Sequence, residues 1–334
     1  MIGIESQEVE RKVISILKIL SAHSAPLGAT VVARHLKDHG FELSDRAVRY
    51  HLKLMDERHL TKLVGRDGRV ITEQGVEELK SALVQDKVGL AISRIELLAF
   101  RTAFDYEKCR GLIPVNVSFF PEEKFGTALH AMKPAFEDGL CVSDLVAVAS
   151  EGEMLGEFTV PEGKIGLATV CSVVVNGALL KAGVPMDSRF GGILQVRNRI
   201  PLRFVELIHY AGSSLDPSEV FIRARMTAVT EAARNGNGKV LANFREIPAM
   251  CRGIAQDVVK RLGQAGIGGL LVMGNTSEPV CEVPVDPNRV GMILLGGLNP
   301  IAAAEEAGIE SENRPMSTVM EYQQMVHFRE LSSL

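Results

Sequence analysis

Apolar positions over the first eighty residues recur at helical spacing in short, separate segments. Val9, Val13, Ile16, Leu17 and Leu20 form one stripe within residues 5–20. Pro26 breaks the chain before a second helical segment at about 30–39, which Gly40 ends. A third stripe, Val48, Leu52 and Met55 at i, i+4 and i+7, marks a helix whose apolar side must pack on the other two. Ser44 can cap that helix by accepting a first-turn amide hydrogen bond, and Asp45 complements the positive end of its dipole. Two short β-type runs follow, 61–64 and 69–72, around Gly65-Arg66-Asp67-Gly68, and a fourth helix at about 74–84 closes the segment. This order predicts a winged helix-turn-helix over residues 1–82.

The polar side of the third helix carries Arg46, Arg49, Tyr50 and Lys53. An arginine fork can grip guanine O6 and N7 in the major groove, whereas Lys53 and the Tyr50 hydroxyl suit phosphates. The hairpin glycines allow a tight turn that would hold Arg66 and Arg69 near the sugar-phosphate backbone. Residues 44–72 hold seven Lys or Arg against four Asp or Glu, on a chain whose net charge is -4. The expected partner is double-stranded DNA. The alternative is a winged helix that serves as a protein-protein module, which would not need three exposed cations and a tyrosine on this helix.

Further along, the pattern repeats itself. Sliding the chain by 125 residues without a gap superposes Phe119 on Phe244, Leu145 on Leu270, Glu157 on Glu282, Gly166 on Gly291, Ala178 on Ala303 and Gly183 on Gly308. With a one-residue shift, Phe204-Val205-Glu206-Leu207 falls on Phe328-Arg329-Glu330-Leu331. Each half reads as strand, helix, three strands, helix and strand. The expected fold class is α+β/α/β, with the winged helix followed by an internally duplicated α/β regulatory domain at 112–334. Its halves are 112–209 and 237–334, joined by a bridge at 210–236 and preceded by a connector at 83–111. Asp216-Pro217 starts a helix in the bridge, a capping Asp before a Pro at the first helical position. Two related halves are expected to pack about an approximate two-fold axis and to leave a cleft between them.

The strand-to-helix junctions of the two halves coincide under the offset, Cys171 with Gly296 and Ser172 with Gly297. Each leads a buried apolar strand into a helix N-terminus, where free amides and the dipole favour an anion such as a carboxylate. Asn176 lies on the first of these helices, and Asn299-Pro300 reads as a cap-and-start pair for the second. Arg203 and Arg245 could add a carboxylate clamp. The candidate effector residues are therefore Cys171, Ser172, Asn176, Arg203, Arg245, Gly296, Gly297 and Asn299. Simple packing is the competing explanation for the glycines, and pairing with Glu246 or Glu206 for the arginines. Cys171 at a helix N-terminus could also be a nucleophile, but no histidine partners it in the motif, and a packing role is favoured.

Composition narrows the classes. A chain of 334 residues, 46% hydrophobic and 23% charged, is globular and long enough for two or three domains. No apolar run approaches the roughly 20 residues of a membrane helix, so a cytoplasmic protein is expected. The five cysteines form no C-x-x-C pair, and five of the eight histidines sit in the DNA-reading segment. Neither metal, cofactor nor catalytic set is expected.

The stretches Ile165 to Ser172, Arg245-Glu246-Ile247-Pro248, Leu215 to Phe221 and Val290 to Ala302 resemble the regulatory domain of the archaeal nitrogen-regulation repressor family NrpR. Residues 5–82 resemble the winged helix that precedes it, also found at the head of ribonuclease R, whose catalytic region has no match here. The resemblance covers nearly the whole chain. It implies a repressor of nitrogen-assimilation genes that binds palindromic operators as a homodimer or higher oligomer and is released by 2-oxoglutarate. Some members carry two regulatory domains after one winged helix, whereas this chain has one. A winged-helix interaction module, or a co-regulator sensing another small anion, is the alternative.

Overall fold

The structure, a computed structural model, describes residues 2–23, 25–38, 41–81 and 90–331. The chain forms two compact units, Met1–Lys87 and Val88–Leu334.

In the first unit, α1 (Ile2–Ser21), α2 (Ala29–Asp38) and α3 (Asp45–Glu57) converge on one apolar cluster. Val13, Ile16, Leu17, Leu20, Leu36, Val48, Leu52 and Met55 are each at most 3% exposed. At roughly 1.5–3 kcal/mol per fully buried aliphatic side chain, this cluster supplies most of what holds three short helices together. Val9, at 38% exposed, lies outside it, so the buried stripe of α1 begins a turn later than the spacing predicts. The wing strands β1 (Thr61–Val64) and β2 (Gly68–Ile71) pair antiparallel, Thr61 opposite Ile71. Leu27 extends this ladder through two 3.0 Å backbone hydrogen bonds with Arg69. A side chain at Gly68 would come within 2.3 Å of the Leu27 carbonyl carbon, which is why glycine stands there. α4 (Glu73–Ser81) follows; its expected extension to residue 84, and the expected stop at Gly40, lie outside the described residues.

The second unit runs α5 (Leu90–Arg101), β3 (Leu112–Pro121), α6 (Glu122–Glu137), β4 (Leu145–Ala149), β5 (Met154–Leu155), β6 (Phe158–Thr159), β7 (Lys164–Val170), α7 (Val173–Lys181), β8 (Asp187–Arg197), β9 (Ile200–His209), α8 (Pro217–Arg223) and α9 (Val229–Asn235). It continues with β10 (Gly238–Pro248), α10 (Arg252–Gln264), β11 (Leu270–Thr276), β12 (Arg289–Leu295), α11 (Asn299–Glu306), β13 (Glu312–Glu321), β14 (Val326–His327) and α12 (Phe328–Leu331). The 125-residue offset carries the bounds of β7 onto those of β12 residue for residue. Packing repeats as well. A Cβ on Gly166 would meet Val160 at 3.0 Å and Phe119 at 3.4 Å, and one on Gly291 would meet Val285 at 2.8 Å and Phe244 at 3.1 Å. Val160 and Val285, like Phe119 and Phe244, are equivalents under the same offset.

The sheets are built differently from two self-contained halves. One has the order β13-β3-β7-β4-β14 and the other β11-β12-β10-β8-β9. The first half thus sends β8 and β9 into the second sheet, and the second half returns β13 and β14 to the first. All pairings in both sheets are antiparallel, so the regulatory unit is α+β. β3, at the heart of its sheet, is buried along its length. Its odd positions Ile113, Val115, Val117 and Phe119 enter one core and Phe120 enters the other.

Repeat symmetry fails after β8. There the chain turns at Asn198 and Arg199, both with positive φ (51° and 62°), and returns as β9 along β8. The equivalent segment of the second half instead forms the short strand β14 against β4 and then α12, where Phe328 stacks on Phe136 at 4.0 Å. The aligned pair Phe-x-Glu-Leu is therefore a strand in one copy and a helix in the other.

Candidate functional site

On the winged-helix unit, Ser44 accepts a hydrogen bond from the Ala47 amide at 3.3 Å and caps α3, while Asp45 accepts one from the Thr30 hydroxyl at 2.5 Å. With Val48, Leu52 and Met55 turned inward, Arg46, Arg49, Tyr50 and Lys53 are exposed, Tyr50 at 62%. Arg46, Arg49, Lys53 and the wing residue Arg66 pair with no other described residue, leaving their charges available to phosphates and bases. Arg69 differs from the sequence expectation. Its Nε donates to the Asp56 carboxylate at 2.7 Å, and Asp56 also accepts from Thr61 at 2.6 Å. The Arg69 charge is thus spent on fastening the wing to the end of α3. Lys62, exposed on β1, is a cation of the wing that the motif reading passed over.

In the regulatory unit the two junctions meet. Thr169 donates to the Gly297 carbonyl at 3.0 Å, and a Cβ on Gly297 would lie 2.4 Å from the Val170 carbonyl oxygen. Cys171, Ser172, Gly296 and Gly297 line one pocket with Arg245, Tyr210, Asp216, Asn243 and Ile95. Its free volume of about 20 Å³ admits about one water molecule. Five of the eight expected residues thus line a common cavity, and Arg245 among them is its cation.

Arg245 is 1% exposed. It donates from Nη2 to the Ser172 hydroxyl at 2.8 Å, from Nη1 to the Ser172 carbonyl at 3.1 Å, and from Nη1 to the Asn176 side-chain carbonyl. Its Nε has no partner among the described residues, and no carboxylate bonds to it. The neighbouring Glu246 is engaged elsewhere, with Arg189 at 3.3 Å and the Asp286 amide at 3.0 Å. Burial holds the Arg245 guanidinium below its usual range, opposed by Tyr210 and Cys171 nearby. A guanidinium taken out of water without a counter-ion is costly, and an anion delivered to its free edge would offset that cost.

Other expected residues take different places. Asn176 stands behind Arg245, holding it on one side and donating to Ser188 at 3.0 Å on the other. Asn299 does not cap α11; it is the first residue of the helix, fully buried, and its amide clasps Leu241 by bonds of 2.7 and 3.0 Å to the backbone N and O. Arg203 is not part of the pocket. The strand exchange carries it onto the exposed edge strand β9, where it donates to Gln195 at 3.2 Å. Burial pushes the Cys171 thiol up to about 11, which removes the thiolate that a nucleophile needs.

Four pocket groups, Tyr210, Asn243, Asp216 and Ile95, were not legible as site residues. Tyr210 donates to the Asn243 side-chain carbonyl, whose amide donates to Ser172 at 3.2 Å. Asp216 caps α8 through the Ser218 and Glu219 amides at 2.8 and 3.3 Å, yet burial pushes its carboxyl up. Ile95 comes from α5, within the span read as a connector. That helix packs Ala91, Ile95, Leu98 and Ala99 with Cys171, Val173 and Tyr210 in one cluster.

Residues 88–327 match the family model described as NrpR regulatory domains NRD1 and 2, and residues 14–79 match the ribonuclease R winged-helix domain. Over 318 residues the chain is 39% identical to the global nitrogen regulator NrpRI of Methanosarcina mazei, covering 95% of this chain and 98% of that protein. The chain belongs to the NrpR family. It is 32% identical to the global nitrogen regulators NrpR of Methanococcus maripaludis and Methanocaldococcus jannaschii, over 90% and 94% of its own length but 52% and 54% of theirs. It therefore spans about half of those two longer relatives. The crystal structure of a nitrogen repressor-like protein from Methanococcus jannaschii superposes with a TM-score of 0.61 at 25% identity, covering 72% of this chain and 99% of that one. Membership makes the chain a winged-helix transcription regulator of nitrogen metabolism and not an enzyme.

Proposed function

We infer that the chain represses nitrogen-assimilation genes by binding palindromic operator DNA as a dimer, and that a small carboxylate, 2-oxoglutarate, releases it. The observation that carries this reading is Arg245, a buried cation whose Nε has no hydrogen-bond partner and to which no carboxylate bonds among the described residues, at the meeting point of two helix N-termini. One carboxylate of the effector takes the free edge of the guanidinium. The Ser172, Asn243 and Gly296-Gly297 groups receive the remainder of the ligand.

The pocket as it stands holds about one water, so a five-carbon diacid enters only if the junctions separate. That separation is the switch. Ile95 lines the pocket, and its helix α5 is the first described element after the stretch that leaves the DNA-reading unit. Spreading the junctions shifts α5 and, in a dimer, the spacing of two reading helices that must engage half-sites roughly 34 Å apart. Effector and operator then oppose one another by linkage.

A gel-shift titration of operator DNA with and without 2-oxoglutarate tests the reading, using Arg245→Gln as the second arm. The expected result is operator release in the native chain and none in the variant, with unliganded DNA affinity retained. Operator affinity that stays constant while 2-oxoglutarate is demonstrably bound would overturn it.

A further inference from the structure

A second cleft, of about 730 Å³, opens where β8, β9, the turn after α8 and α9 come together. It shares no lining residue with the Arg245 pocket, so what it binds is independent of the effector reading. Its size falls within the roughly 300–1,000 Å³ of small-molecule sites. Val205, 37% exposed, and the partly buried Met226 supply apolar walls, backed by the core residues Ile193 and Val196.

Three cations border the cleft from three different elements. Strand alternation places Ile193, Gln195 and Arg197 on one side of β8, and Lys239 of β10 lies opposite Gln195 in register. Arg225 arrives from the turn after α8 with φ 54°. All three are exposed, and none has an ion pair or side-chain hydrogen bond with a described residue. Two carboxylates, Glu206 and Glu231, share the lining, and Glu231 already accepts from Asn235 at 2.8 Å. The surroundings are basic. Residues 195–239 carry seven Lys or Arg against four Asp or Glu on a chain of net charge -4.

We propose that this cleft binds an organic phosphate of nucleotide size, its phosphates held by Arg197, Arg225 and Lys239 and its organic body resting on the apolar walls. Guanidinium and ammonium groups without protein partners are free to make charge-assisted bonds to phosphate oxygens. A bare inorganic anion would leave the apolar surface and most of the volume unused. The β8–β9 hairpin forms one side of the cleft, and the second copy of the repeat replaces that element with β14 and α12, so the cleft has no counterpart there.

Isothermal titration of the full chain with ATP and with inorganic tripolyphosphate decides the matter. The expected result is one ATP per chain, weaker binding of tripolyphosphate, and at least tenfold loss in Arg197→Ala/Arg225→Ala/Lys239→Ala with an unchanged melting temperature. If that triple variant misfolds, Lys239→Ala alone should still weaken ATP severalfold. Glu231→Gln, which removes a competing carboxylate, should tighten it. Arg46→Ala/Arg49→Ala, on the DNA-reading helix, should leave it unchanged. No ATP binding, equal binding of tripolyphosphate, or a loss that follows Arg245→Gln or the DNA-reading arginines instead would overturn the proposal.

Discussion

A guanidinium at 1% exposure with an unsatisfied Nε destabilises the unit that contains it unless something else gains. Arg245→Met keeps the length and removes the charge, and should stabilise the unliganded protein by about 1–4 kcal/mol in thermal or denaturant melts while abolishing the response to carboxylates. A loss of stability would mean that the bonds to Ser172 and Asn176 outweigh the cost of burial. Gly297 carries the opposite risk. An added methyl would meet the Val170 carbonyl oxygen at 2.4 Å, a backbone atom that cannot swing aside, so Gly297→Ala should cost on the order of 1–3 kcal/mol of stability. His51 makes the first unit sensitive to acid. It is 8% exposed, its Nδ1 has no partner, and burial, with Lys12 nearby, lowers its pKa from 6.5. Between that lowered value and 6.5 the unfolded chain binds more protons than the folded one, so stability falls as pH drops through this window. Denaturant melts between pH 7 and pH 5 should show the decline, and His51→Leu should flatten it.

Among the elements, α3 and the wing form one device. Asp56 at the end of the helix binds Thr61 and Arg69 of the two wing strands, so the angle between helix and hairpin is set by a carboxylate. Arg49→Ala should cost about 1–3 kcal/mol of specific operator binding if this arginine reads a base, measured against a scrambled operator at fixed salt. Equal losses on both DNAs would reduce Arg49 to a phosphate contact. The repeated Phe-x-Glu-Leu segment shows how little an element owes to its own residues. Phe204 packs edge-on against Phe190 from a strand, while Phe328 stacks on Phe136 from a helix. Each segment takes the form that buries its phenylalanine.

At the scale of the whole molecule, strand exchange makes the regulatory unit one cooperative body. β8 is bound to β10 and β13 to β3, so neither repeat completes a sheet without the other. A fragment of residues 88–211 should remain without fixed tertiary structure by near-UV circular dichroism, whereas residues 88–331 should unfold in a single transition. Two separate transitions in the longer piece would contradict this. The same exchange brings Cys171-Ser172 and Gly296-Gly297 against each other, so the pocket exists only when both halves are in place.

Much was readable from local order. The winged helix follows from three apolar stripes, a capping Ser44 and a two-glycine turn, each of which acts within a few residues of itself. The duplication, the capping Asp216 and the paired junctions were equally visible, because they depend on neighbours in the chain or on an offset that comparison reveals. What required the tertiary structure was every long-range choice. Which sheet β8 joins is decided by competition for backbone hydrogen bonds and core volume between segments far apart in sequence. That choice moved Arg203 out of the pocket and brought in Tyr210, while the packing of α5 supplied Ile95. Spacing could nominate Arg245 as a carboxylate ligand. Only the folded chain, by pairing Glu246 with Arg189, decided that Arg245 is buried with no carboxylate bonded to it among the described residues.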